Sequence, residues 1–226
     1  MDLIFEAKSA VKCNSFLENL QVVIKPRKDG RDQFSLEMWV LKHYLPKVFD
    51  EIIFPAKIFK SEKPDFIIEM PNSKIGIEIT EATSEYYQKL LTEFSKKTNY
   101  YMQASKIRYG KTYTNEELNS FIQPNGSPLT GYGVSGYRYE FEASCWIFDA
   151  AINKIPKIKK WKRNYPVRIV IYDNTPTHNL ILDVLSNYLK EKFSKNKELR
   201  NHEIDLLTTD GSKVLRSSSD FEECFT

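Results

Sequence analysis

The sequence is poor in the residues that build disulfide frameworks and zinc sites. Its cysteines, Cys13, Cys145 and Cys224, are odd in number and far apart, and they form no CxxC pair. The histidines, His43, His178 and His202, are equally scattered. This usage argues against a structural zinc site and predicts a reducing, cytoplasmic setting.

Long apolar runs are also missing. No stretch approaches the ~18 consecutive apolar residues that indicate a membrane-spanning helix, so we expect no membrane partner. The first residues, MDLIFEAKSAVK, mix acids into a short apolar segment and have no basic leader. A secretory signal is therefore not expected there.

Net charge is small, at +3, and does not indicate a nucleic-acid partner by itself. Residues 151–170 nevertheless hold seven Lys or Arg residues and no acid. Such a run is either a solvated face or a stripe that binds phosphates. On the second interpretation, the nucleic-acid contacts come from Lys157, Lys159, Lys160, Lys162 and Arg163.

Apolar spacing predicts an α/β fold in which helices flank a mixed β-sheet, in the order helix, three strands, helix, strand. We expect one domain over 1–226. Its predicted parts are an N-terminal helical extension at 1–30, a core at 33–173 with a helical and loop insertion at about 84–138, and a C-terminal helix and last strand at 174–226.

Helix boundaries follow from capping residues and prolines. Ser35 is the predicted cap of the first core helix, which Pro46 should end or kink. Amphipathic spacing predicts a helix over 84–109, and a second core helix is predicted at roughly 139–155, ending at Pro156.

The most informative stretch is PDFIIEMPNSKIGIEIT, residues 64–80, which reads as two strands and a turn. With the turn at Asn72–Ser73, Asp65 faces Thr80 and Ile67 faces Glu78. Asp65 and Glu78 are then diagonal neighbours on one face, about 7–8 Å apart at the backbone. The opposite face is apolar and should pack on the core; it carries Phe66, Ile68, Met70, Ile75, Ile77 and Ile79.

Two adjacent carboxylates suit a hard cation. Mg²⁺ prefers carboxylate oxygens and keeps several waters, and the carbonyl of Ile79 could add a further oxygen. Gly76 should leave open room beside the pair. The alternative is a solvated hairpin whose exposed face merely carries acids.

The core region resembles the PD-(D/E)XK nuclease superfamily, whose restriction-endonuclease-like core runs helix, three strands, helix, strand. The matching residues are Pro64–Asp65 at the start of one strand and Glu78-Ile79-Thr80 at the end of the next. The resemblance implies that Asp65 and Glu78 hold Mg²⁺ or Mn²⁺. It also implies an acid from the first core helix, where Glu37 matches; an acid near a helix start is equally explained by the helix dipole.

Thr80 departs from the family pattern, which has a catalytic lysine at that position. Its hydroxyl cannot supply the positive charge that would stabilise a phosphorane-like state. The tripeptide Glu6-Ala7-Lys8 is rejected as the motif, because no P-D strand precedes it. Lys154 is the better candidate, because it continues the helical stripe of Trp146 and Ala150. The alternative is that Lys154 extends into solvent at a helix end.

Three functions are therefore open. The first is a Mg²⁺- or Mn²⁺-dependent nuclease acting on DNA, a reading compatible with a homodimer. The second is a catalytically degenerate module of the same fold that binds nucleic acid or a protein partner, which Thr80 favours. The third is an unrelated α/β domain with a chance motif.

Overall fold

The computed structural model describes residues 1–23, 32–127, 136–161, 163–177, 180–199, 202–217 and 222–224. The strands described are β1 (Asp2–Ala7), β2 (Ala56–Lys60), β3 (Phe66–Met70), β4 (Ser73–Ala82), β5 (Tyr100–Met102), β6 (Ile122–Pro124), β7 (Val167–Asp173), β8 (Ile204–Leu207), β9 (Val214–Arg216) and β10 (Glu222–Cys224). The helices are α1 (Ala10–Asn19), α2 (Gln33–Tyr44), α3 (Glu85–Phe94), α4 (Asn115–Ser120), α5 (Arg138–Lys159) and α6 (Leu182–Lys195). Short 3₁₀ segments lie at Leu45–Glu51 and Ala104–Lys106.

One mixed sheet organises the molecule, in the order β1-β2-β3-β4-β7-β8-β9-β10. The pairs β4–β7 and β7–β8 are parallel. The pairs on either side of them, such as β2–β3 and β8–β9, are antiparallel. A parallel pair needs a crossover, and α5 supplies it between β4 and β7. The predicted α/β architecture with a mixed, helix-flanked sheet is confirmed.

Helices cover both faces of this sheet. On one face, α1 and α2 pack their buried side chains against Phe66, Ile68, Ile77 and Ile79. On the other, α5 and α6 pack against β7 and β8. The apolar hairpin face predicted from the sequence is therefore a core face. Fully burying each such side chain contributes roughly 1.5–3 kcal/mol to stability.

The hairpin register differs from the prediction. Phe66 pairs with Ile77 and Met70 with Ser73, so the two-residue turn is Pro71–Asn72 and not Asn72–Ser73. Proline favours the first central position of a turn because its φ is already near −65°. The offset is two residues, so the side-chain faces are unchanged. Continued by one residue, the observed register places Asp65 directly opposite Glu78 rather than diagonal to it.

Gly76 does not leave open space beside the acids. A Cβ built on Gly76 would lie 2.5 Å from Cγ of Pro64, with Val167 and Tyr165 also within 3.3 Å. The loop that carries Asp65 therefore folds onto the sheet, and the missing side chain of Gly76 is what admits Pro64.

The N-terminal segment is not purely helical. Asp2–Ala7 forms the edge strand β1, antiparallel to β2, and the helix begins only at Ala10, capped by Ser9. Alternating burial along Phe5 and Ala7 explains the strand. Ala7 of the Glu6-Ala7-Lys8 tripeptide pairs with Ala56, the first residue of β2, whereas Lys60 is its last residue. This tripeptide is therefore separated from Asp65 and Glu78.

Helix boundaries also differ from the sequence prediction. Asp32, not Ser35, caps α2, since its carboxylate accepts the Ser35 N–H at 2.7 Å. The α-helix then ends before Pro46, as predicted. Helix α5 continues through Pro156 to Lys159, because buried Ile155 and Ile158 hold its last turns on the sheet.

The insertion is a small subdomain. Its first helix, α3, ends at Phe94 rather than near 109, and β5 and β6 form a separate two-stranded hairpin around α4. These elements share an apolar cluster that includes Trp146 of α5. The short helix α4 begins with a capping box in which Thr114 and Glu117 accept each other's backbone N–H.

A buried ionic network ties the amino end of β7 to its neighbours. Arg168, 5% exposed, lies 3.1 Å from the Tyr44 hydroxyl and 3.6 Å from the Asp205 carboxylate, and it also pairs with Glu51 and Glu203. Burial raises the pKa of Asp205 to about 6, although Arg168 and Tyr44 both favour its ionised form.

Candidate functional site

The two predicted acids meet where β3 begins beside the middle of β4. The Asp65 N–H donates to Glu78 Oε2 at 3.3 Å, and the Ile79 N–H donates to Asp65 Oδ2 at 2.7 Å. Both side chains are largely enclosed, with exposed fractions of 13% for Asp65 and 7% for Glu78. The backbone of β4 thus fixes the Asp65 carboxylate next to that of Glu78.

Electrostatics around Asp65 favour its protonated form in the absence of a cation. Burial is the main cause, and the nearby carboxylates of Glu78 and Glu37 add repulsion. The Ile79 N–H and the Lys60 ammonium oppose this effect only in part. The net effect of burial and of all these groups raises the pKa of Asp65 to about 7. A buried carboxylate with like-charged neighbours is a frequent feature of functional sites.

Lys154 reaches this acid pair from α5. Its Nζ lies 2.6 Å from Glu78 Oε1, and the side chain is 19% exposed. The proximity predicted from the stripe of Trp146 and Ala150 is thus present, and the alternative in which Lys154 extends into solvent is not what the structure shows. This contact uses one of the three donors of the ammonium.

Contacts along α5 fix the direction of Lys154. Fully buried Ala143 and Ala151 bring the helix close to the sheet. At its other side, Arg108 of the insertion donates to Glu142 at 2.7 and 2.8 Å, and Tyr109 donates to Asp149 at 2.8 Å. Glu142 therefore anchors the insertion. These contacts fasten α5 to the sheet on one side and to the insertion on the other.

Thr80 follows Glu78 by two residues on β4 and lies on the same face of the sheet. It is half-buried and paired in register with Ile171 of β7. A lysine at this position would point toward the same region as Lys154. The ammonium that contacts Glu78 thus comes from α5.

Glu37 approaches from the opposite face, on α2. It is buried, and both of its carboxylate oxygens have partners. Oε2 lies 2.6 Å from Lys60 Nζ, and Oε1 accepts from Gln33 at 2.9 Å. Lys60 also donates to the Asp65 carbonyl at 3.0 Å. Lys60 was not predicted from the sequence; the available signal was a lysine ending the strand just before Pro64–Asp65.

The basic stripe runs away from the acids along the end of α5. Lys157, Lys159 and Lys160 are exposed, while Lys162 lies outside the described residues. Arg163 is half-buried, and its guanidinium carbon lies 5.3 Å from the Trp161 ring centroid and 5.4 Å from that of Tyr165. The stripe is therefore separate from the acid pair, one to two helical turns beyond Lys154.

The donors present fit a hard cation with few protein ligands. Asp65 and Glu78 supply carboxylate oxygens, and the Ile79 carbonyl points toward the same strand edge as the N–H that binds Asp65. Across the described ranges, no three His, Cys, Asp or Glu side chains form a metal-binding group. A two-carboxylate site suits Mg²⁺, which keeps several waters and completes its shell with phosphate oxygens.

Comparisons with protein-family models, with curated proteins and with solved structures found no match. In the part of the chain that the structure describes, no helix is both long and apolar enough to cross a membrane.

Proposed function

We propose that the chain is a Mg²⁺- or Mn²⁺-dependent nuclease that hydrolyses phosphodiester bonds of DNA, built on a restriction-endonuclease-like core. The observation that carries this proposal is the cluster of Asp65, Glu78 and Lys154. Two adjoining, largely enclosed carboxylates and one ammonium meet at one point of the sheet, although they come from the start of β3, from β4 and from α5. The order α2, β2, β3, β4, α5, β7 supports it.

Each residue has a distinct role in this proposal. Asp65, Glu78 and the Ile79 carbonyl would hold the cation, which when bound activates a water and neutralises charge on the phosphate. Lys154 stabilises negative charge that builds on the phosphate oxygens, and Glu78 orients its ammonium. Exposed Lys157, Lys159 and Lys160 contact the nucleic-acid backbone, whose phosphates attract such charges without regard to sequence.

The decisive experiment incubates the purified chain with Mg²⁺ or Mn²⁺ and with supercoiled, linear and single-stranded DNA, and with RNA. We expect Asp65→Ala to abolish cleavage and Lys154→Met to lower it by roughly 10²–10³-fold, the usual effect of removing one electrostatic stabiliser. Lys190→Met on α6 is the matched control and should cleave like the parent chain. Cleavage of no substrate, or equal cleavage by the Asp65 variant, would refute the proposal.

A second function is favoured by Thr80. Without a lysine at position 80 of β4, the fold is also suited to a degenerate module that binds nucleic acid or a protein and performs no hydrolysis. Equilibrium titration with Mn²⁺ separates the two. The nuclease needs a cation site that Asp65→Asn destroys, whereas a degenerate module binds DNA equally well with and without the cation.

A further inference from the structure

Lys60 lies on the α2 face of the sheet, and its ammonium stands between the side chains of Glu37 and Asp65. Its Nζ lies 2.6 Å from Glu37 Oε2 and 3.9 Å from Asp65 Oδ1, and it donates to the Asp65 carbonyl at 3.0 Å. It also lies 4.8 Å from the ring centroid of Phe66, which is fully buried. The ammonium is thus enclosed by contacts at the start of β3.

Glu37 has little capacity left for a cation. One carboxylate oxygen accepts from Gln33 and the other binds Lys60, and the residue is only 4% exposed. A cation that joined Glu37 to Asp65 would have to displace Lys60 or lie against its ammonium. A cation that lies against an ammonium is repelled strongly by it in a partly buried site.

The two lysines of the site therefore differ in their contacts. Lys154 is bound to one carboxylate and keeps donors for a ligand. Lys60 is engaged at once by a carboxylate, a backbone carbonyl and an aromatic ring. A donor held this way fixes the groups around it rather than contacting substrate.

We infer that Lys60 is a positioning residue that holds Asp65 in place, and that Glu37 acts through Lys60 instead of binding the cation. This inference rests on the proposed nuclease function. It assigns α2 a supporting role in the site: the helix supplies an anchor for Lys60, which in turn fixes the peptide and carboxylate of Asp65.

The test compares Glu37→Gln, Lys60→Met, Lys60→Arg and the double variant Glu37→Gln/Lys60→Met in DNA cleavage and in equilibrium Mn²⁺ titration. Groups that orient ligands typically change activity or affinity by about 10–100-fold. We expect Lys60→Met to lower kcat by that amount without weakening Mn²⁺ binding, since it removes a like charge near the cation. Lys60→Arg should recover part of the lost rate.

The double variant decides how Glu37 acts. If Glu37 works only through Lys60, the double variant cleaves at the rate of Lys60→Met alone, because effects of residues acting as a unit do not add. The Mn²⁺ concentration at half-saturation should then change little in Glu37→Gln and rise strongly in Asp65→Asn. Lys57→Met, on the same strand, is the control and should match the parent chain.

Two outcomes overturn the inference and are distinguishable. If Glu37→Gln raises the half-saturating Mn²⁺ concentration as much as Asp65→Asn does, Glu37 is a ligand and only this inference fails. If the parent chain neither binds Mn²⁺ nor cleaves, the proposed function fails and the inference falls with it. Folding is monitored by thermal melts. The double variant removes both charges, so it leaves no unpaired buried ion at this position.

Discussion

Substituting Asp65 by asparagine should stabilise the cation-free protein at alkaline pH. Burial and neighbouring carboxylates raise the pKa of Asp65 from an ordinary value near 3.9 to about 7. Since a tenfold change in proton affinity equals about 1.4 kcal/mol, keeping this group ionised costs the fold up to about 4 kcal/mol. Asparagine keeps an oxygen that can accept from the Ile79 N–H and removes the charge.

The sign of the pH effect follows from proton binding. An acid whose pKa is raised by folding binds more protons in the folded chain than in the unfolded one. The stability of the parent chain should therefore fall as pH rises from about 4 to about 7, and the full cost should persist above that range. The Asp65→Asn variant should lack this decline.

Thermal unfolding in EDTA, followed by circular dichroism between pH 4 and pH 8, measures the difference. At pH 8, a gain of roughly 2–4 kcal/mol corresponds to a melting temperature higher by about 5–15 °C for a chain of this size. At pH 4 the two proteins should melt together. Asp2→Asn, at an exposed position, is the control. Destabilisation at pH 8, or an equal gain at both pH values, would contradict the reasoning.

Three further changes test other parts of the structure. Gly76→Ala should destabilise the fold by about 1–3 kcal/mol and weaken Mn²⁺ binding, because the added methyl displaces Pro64; denaturation and titration measure these effects. Arg168→Met should cost about 3–5 kcal/mol in urea denaturation, since it removes the guanidinium beside the buried Asp205 carboxylate, and a loss below about 1 kcal/mol would refute this. The three exposed lysines at the end of α5 are Lys157, Lys159 and Lys160. Replacing them by alanine should reduce the slope of log K for DNA binding against log salt by roughly 0.9 per lost phosphate contact. An unchanged slope would exclude these lysines as phosphate contacts.

Local sequence patterns predicted part of the site well. Alternation along β3 and β4 separates the apolar residues from Asp65 and Glu78 whichever of the two turn positions is used, because an offset of two residues conserves the faces. Helical periodicity likewise aligned Lys154 with Trp146, and Lys154 lies against Glu78. Both inferences depend only on neighbours within one element or one hairpin.

Errors arose where a local signal was ambiguous or a tertiary contact overrode it. Pro71 moved the turn by one position, so Asp65 and Glu78 are direct and not diagonal neighbours. Pro156 interrupts the helical hydrogen bonding in principle, yet α5 continues because its last apolar residues are buried on the sheet. Residues 2–7 pair with β2 as a strand, a long-range contact that the helical spacing around them concealed.

The sequence by itself determined which residues lie on the acidic and apolar faces of the hairpin, because side chains alternate along any strand. Tertiary structure alone decided the partners of those acids. Lys60 and Glu37 are 23 residues apart and meet only because α2 packs on the sheet beside the end of β2. Glu78 and Lys154 are joined only because the α5 crossover lays that helix over β4. Such pairings depend on chain topology, which no local periodicity contains.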